Sequence, residues 1–118
     1  TVLDVGASVV PSGSRMARAI ELGRDLAATT SDPTEAYAAL EAEFAGMHWV
    51  HALNNTALVA YALEAGAGDF DRSICLTVMG GWDTDSNGAT VGAVAGALGG
   101  TAAIAPRWSD PLKNRMST

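Results

Sequence analysis

Apolar positions recur at helical spacing along most of the chain, and five segments carry both the pattern and its boundary signals. Ser14 is placed to cap the first, where Met16, Ala19, Ile20, Gly23, Leu26 and Ala27 share one face. Arg15, Arg18, Glu21, Arg24 and Asp25 take the other face, so this helix is amphipathic. Asp32-Pro33-Thr34-Glu35 supplies an N-cap acid, a proline for the first helical position and an acid for the first turn. Tyr37, Leu40 and Phe44 follow as the stripe of a second helix, which Gly46 ends. Residues 57–63 are apolar without a break, which predicts a third helix buried on all sides. Asp69 precedes a fourth, over 71–79, and Gly80-Gly81 breaks it. A polar stretch, 82–87, reads as a loop feeding a fifth helix over 88–98, stopped by Gly99-Gly100. Residues 1–10 show no clear period, and Pro106 and Pro111 predict an irregular tail.

The kind of apolar residue decides how these helices pack. There are 23 Ala and 13 Gly in 118 residues. Ala favours helix and disfavours strand, which points to closely packed helices and against a β-sandwich. The expected fold is all-α, a compact orthogonal bundle of about five helices, with residues 1–118 as one domain. Gly88, Gly92 and Gly96 recur every four residues, and each costs about 1 kcal/mol of helix propensity against Ala. Close approach of another helix would offset that cost, so this face is expected to be buried.

Charge and composition remove several classes of function. A net charge of −6 without a basic cluster leaves no footprint for nucleic acid and no polybasic membrane anchor. Residues 87–105 are uncharged up to Pro106, but they hold five Gly and only four large apolar residues, too few for a membrane span. The lone Cys75 excludes an intrachain disulfide and fits a reducing, cytoplasmic setting. Its apolar surroundings in sequence predict a buried, inert thiol. The chain starts at Thr1 without Met and without a signal-like segment, as a partial chain would.

Candidate chemistry concentrates in Gly80-Gly81-Trp82-Asp83-Thr84-Asp85-Ser86-Asn87-Gly88. Two carboxylates one residue apart and a hydroxyl are hard oxygen ligands of the kind Mg²⁺, Mn²⁺ and Ca²⁺ take. An EF-hand is excluded, because its twelfth position, which must be a bidentate acid, is Val94. Capping of the following helix by Asp85 or Ser86 accounts for the same residues, and the two readings are compatible. His48 and His51 stand three apart, but zinc needs a third protein ligand and none is evident. A hydrogen-bonded role at a helix end or near a ligand suits them better. Trp49 and Trp108 read as packing anchors, whereas Trp82, beside the acids, could wall a pocket.

Taken in order, His48-Trp49-Val50-His51 with Asn54-Asn55, Gly68-Asp69-Phe70, the 80–92 segment and Pro106-Arg107-Trp108 resemble the C-terminal part of bacterial ADP-ribosylglycohydrolase family proteins. The resemblance runs from about Ser14 to the end of the chain. It implies an all-α hydrolase that cleaves glycosidic bonds to ADP-ribose with two Mg²⁺ or Mn²⁺ ions. By the same resemblance Asp83, Asp85 and Ser86 match the C-terminal metal ligands, and Trp82 and His51 are placed to touch an ADP-ribose-type substrate. Ser86 stands where many members have Thr, and Trp82 where many have Gly. The N-terminal acidic motif of the family, a hydroxyl followed by paired Asp, has no counterpart here. The expectation is therefore a module that binds the ions weakly and is inactive alone, with no catalytic residue assignable. A complementary N-terminal half would complete it, and the chain is separately expected to form a homodimer or higher oligomer through exposed apolar faces. A non-catalytic helical binding or oligomerisation domain is the alternative.

Overall fold

The computed structural model describes residues 1–117, and among them the regular structure is entirely helical. Seven α-helices run in order: α1 Val2–Ser8, α2 Arg15–Thr29, α3 Pro33–Glu43, α4 Ala52–Gly66, α5 Phe70–Met79, α6 Thr84–Gly99 and α7 Pro106–Ser109. Single 3₁₀ turns follow α6 at Thr101–Ala103 and α7 at Asp110–Leu112. The five expected helices are α2 to α6. Their starts are where short polar side chains can take an orphan backbone N–H. Ser14 accepts from Ala17, Asp32 from Thr34 and Asp69 from Arg72.

Three boundaries differ from the sequence reading. Residues 2–8 form a helix, because Thr1 and Asp4 make a reciprocal capping box. The tail is not irregular: Pro106 begins one helical turn and Pro111 is the second residue of another, positions where a missing N–H costs nothing. The third difference bears on the site. Helix α6 starts at Thr84, so the stretch read as a loop is its N-cap and first turn.

The uniformly apolar helix α4 is the centre of the fold. It packs against α1, α2, α3, α5 and α6. Ala57, Leu58, Ala60, Tyr61 and Ala62 are buried along it, with Leu40 of α3, Leu76 of α5 and Val91 of α6 closing the core. Gly23 sets the α2–α4 distance, since a Cβ there would run into the Ala57 carbonyl oxygen. Gly66 does the same for α4 and α5, where a Cβ would strike the Ser73 side chain.

The α6 glycine face lies on α5, in antiparallel register. Gly88 faces Val78, Gly92 faces Ile74, and Gly96 faces Phe70. The approach is looser than expected. A Cβ on Gly92 would sit 3.5 Å from Ile74 and one on Gly96 3.6 Å from Phe70, both ordinary contacts. Cys75 is exposed rather than buried, because Ser73, Leu76 and Thr77 take the inward face of α5.

Candidate functional site

Two connections meet where α4 and α6 begin. Residues 44–51 join α3 to α4, and Gly80 to Asp83 join α5 to α6. The second is a sharp turn. Gly81 and Trp82 both have positive φ, 84° and 55°. Gly81 adopts this freely, while an L-residue such as Trp is strained there by about 1–2 kcal/mol. The half-buried Trp82 ring packs edge-on against Phe44, with ring centres 6.2 Å apart. It lies on the rim of the core beside the acids.

The turn delivers Asp83 to the N-cap of α6, Asp85 to its second residue and Ser86 to its third. Asp83 is half-buried, and Asp85 and Ser86 are exposed. Asp85 and Ser86 are therefore inside the helix, and neither is its cap. Asp83 occupies the cap position, but its side chain makes no capping hydrogen bond. The caps of α1 to α5, from Thr1 to Asp69, all do. The Asp83 carboxylate is thus left out of the helix's own hydrogen bonding. The Asp85 carboxyl is held below the ordinary carboxylate range. The Asp83 side chain beside it is the first cause, and the backbone N–H groups of Ser86 and of Asp85 itself add to the effect.

Two buried amides tie this turn to the start of α4. Asn55 Nδ2 donates to the Trp49 carbonyl oxygen at 2.7 Å and to the His51 carbonyl oxygen at 2.8 Å. Its Oδ1 accepts from Asn87 Nδ2 at 2.6 Å and from the Asp83 backbone N–H at 3.3 Å. Asn55 and Asn87 went unremarked as a pair in the sequence, where 32 positions separate them. Two adjacent asparagines in a helix otherwise rich in Ala and Leu were the available signal.

The histidines are not on one helix face. His51 is the N-cap of α4, and its Nδ1 accepts from Leu53 N–H at 3.2 Å. His48 sits in the preceding turn, where its Nδ1 accepts from Val50 N–H and its ring stacks on Trp49. Both histidines are exposed. Asp69 and Asp71 do not join Asp83 and Asp85. Asp69 caps α5, and Asp71 accepts from Arg107 and from Trp108 Nε1. Among the described residues no group of three His, Cys, Asp or Glu could hold a metal. Two carboxylates and a hydroxyl fit part of the coordination sphere of a hard divalent cation, and the remaining positions need other donors.

Two hollows on the surface are not lined by the acids. One hollow, of about 260 Å³, is lined by Leu3, Leu63, Glu64, Val94 and Leu98 among others. Another, of about 430 Å³, is lined by residues that include Arg15, Arg18, Leu22, Phe44 and Met47. Trp82, His51 and the acids line neither. Among the described residues no helix is long and apolar enough to cross a membrane.

Comparison with curated proteins and with solved structures gave no match. Comparison with family descriptions gave one, the ADP-ribosylglycohydrolase family, matched over residues 1–118. A match along the whole length, on a chain that folds as helices alone, shows that the protein belongs to the ADP-ribosylglycohydrolase family.

Proposed function

We propose that this helical domain, residues 1–118, serves metal-dependent hydrolysis of a glycosidic bond to ADP-ribose in the cytoplasm, with Asp83, Asp85 and Ser86 as ligands to Mg²⁺ or Mn²⁺. One observation carries the assignment: the Asp83 carboxylate stands at a helix N-cap without capping it. A carboxylate so placed, making no hydrogen bond to its own helix end, is suited to a cation. When bound, such an ion polarises a ribose hydroxyl or a water. The chain's own part is to hold the acids on a rigid first turn of α6. His51 and Trp82, in the two turns that Asn55 ties together, are the residues proposed to touch the substrate.

These three residues supply at most half of a two-metal site. A complementary N-terminal half would bring the rest. The exposed Val5, Val9, Met79 and Leu98 give such a partner apolar surface to cover. The isolated chain is expected to bind Mn²⁺ weakly and to release little or no ADP-ribose. Calorimetry with Mn²⁺ tests the first point, and an ADP-ribose release assay with and without the complementary half tests the second. Asp83→Ala and Asp85→Ala should each abolish the binding heat. Unchanged binding in both variants would return the turn to a purely structural role.

A further inference from the structure

Asn55 is buried, 8% exposed, and Asn87 is 4% exposed. Buried amides are costly unless every hydrogen-bonding position is met. Asn55 meets all of its own. The two carbonyl oxygens of Trp49 and His51 fix which end of the amide is nitrogen, so Oδ1 points at the α6 turn. That oxygen collects the Asp83 N–H and the Asn87 side chain. The Asp83 carbonyl oxygen in turn accepts from the Asn87 backbone N–H at 2.9 Å. The Asp83 backbone N–H is therefore held by the Asn55 side chain, which Asn87 braces, and its carbonyl oxygen by the ordinary first-turn bond of α6, while its carboxylate stays free of the helix's hydrogen bonding.

We infer that Asn55 and Asn87 are positioning residues for the acidic turn: their amide pair fixes the Asp83 backbone, and with it the direction of the Asp83 carboxylate toward a divalent cation. The inference rests on the metal reading above. Its physical basis is general, since losing a group that holds a metal ligand in place typically costs about 10–100-fold in metal affinity. The same strut joins the His48 to His51 turn to the acids. A substrate held at the first would then be registered against a cation held at the second.

The test uses the full chain and Mn²⁺ alone as probe. Asn87→Ala removes one donor and leaves the three other groups around Asn55 in place. Tyr37→Phe is the control. It loses the hydrogen bond from the Tyr37 hydroxyl to the Leu76 carbonyl oxygen, which is remote in sequence from the site. Three readouts are taken: melting temperature, hydrogen exchange of the Asp83 amide, and paramagnetic broadening of residues 83–87 by Mn²⁺. Asn87→Ala should speed Asp83 exchange and weaken Mn²⁺ binding at least about tenfold, the lower end for outer-shell groups. Tyr37→Phe should lower the melting temperature and leave Mn²⁺ binding unchanged. If Asn87→Ala melts lower but binds Mn²⁺ like the wild type, while Asp85→Ala does not bind, the positioning role is wrong and the metal site stands. If the wild type itself shows no broadening at 83–87, both fall.

Discussion

Trp82 shows how a single residue can be read two ways until its backbone is known. Beside two acids it looked like a pocket wall, and the resemblance placed it where glycine is common. Its φ of 55° explains the glycine: the turn between α5 and α6 needs a left-handed residue there. The indole stays because it packs on Phe44. These two facts predict an inverted substitution order. Ala would lose the ring and keep the strain, whereas Gly would lose the ring and release it. Trp82→Gly should therefore be more stable than Trp82→Ala by about 1–2 kcal/mol, read from chemical denaturation of both variants. The usual order, with Gly the worse, would mean that the turn adjusts to fit alanine. Tyr37 illustrates the other common fate of a polar tip. Its hydroxyl serves the Leu76 carbonyl oxygen, one of the four that α5 leaves without a helical partner. Burial first, then Tyr61 and Cys75 nearby, push its pKa up to about 12.

At the scale of elements, the α6 glycines and Gly23 look alike in sequence and differ in space. Gly23 stands where the α2 and α4 backbones meet, and its Cβ position is occupied by main chain. Gly92 faces the flexible end of Ile74 with room for a methyl group. Gly23→Ala should destabilise the protein by about 1–3 kcal/mol, as overpacking does. Gly92→Ala should be neutral or stabilising by up to about 1 kcal/mol, the helix propensity it regains. Thermal melts of the two variants decide this, and a loss at Gly92 matching that at Gly23 would contradict the looser α5–α6 spacing. The helices themselves were legible because their caps were. Ser14, Asp32 and Asp69 each stand one residue before an observed start. The starts of α4 and α6 are less legible for a related reason. His51 is an uncommon cap, and Asp83-Thr84-Asp85-Ser86 is made of residues that favour turns. Acids in a first turn are favourable to the helix dipole, so the same four residues also open a helix well. The acids were thus found from sequence, while the amide pair that holds them was not. No local pattern announces a hydrogen bond between Asn55 and Asn87 on two different helices.

Across the whole molecule, the peripheral elements are fastened to the core by a few polar links. Arg24 on α2 reaches Asp4 of α1 at 2.9 Å and Glu64 of α4 at 3.3 Å. At the other end, Arg107 and Trp108 of α7 both bind Asp71 near the start of α5. Trp108 also packs edge-on against Phe70, with ring centres 6.0 Å apart. The two α7 residues are not equivalent. Arg107 is well exposed and forms a surface ion pair, a type of interaction worth about 0–1 kcal/mol. Trp108 is half-buried, and an aromatic pair adds about 0.5–1.5 kcal/mol beyond the area it covers. Removing the indole also strips Asp71 of a donor. Trp108→Ala should therefore release residues 106–112 from α5, and Arg107→Ala should not. Hydrogen exchange and limited proteolysis of that segment would show the difference, with the core helix α4 equally protected in both. Release by Arg107→Ala alone would make the ion pair, and not the ring, the fastening. The distinction bears on the site as well, because α5 runs from this clasp to Gly80, where the turn carrying Trp82 and Asp83 begins. A tail that comes free without changing Mn²⁺ binding at Asp83 and Asp85 would show that α4 and its asparagine strut, rather than α5, hold the acidic turn in place.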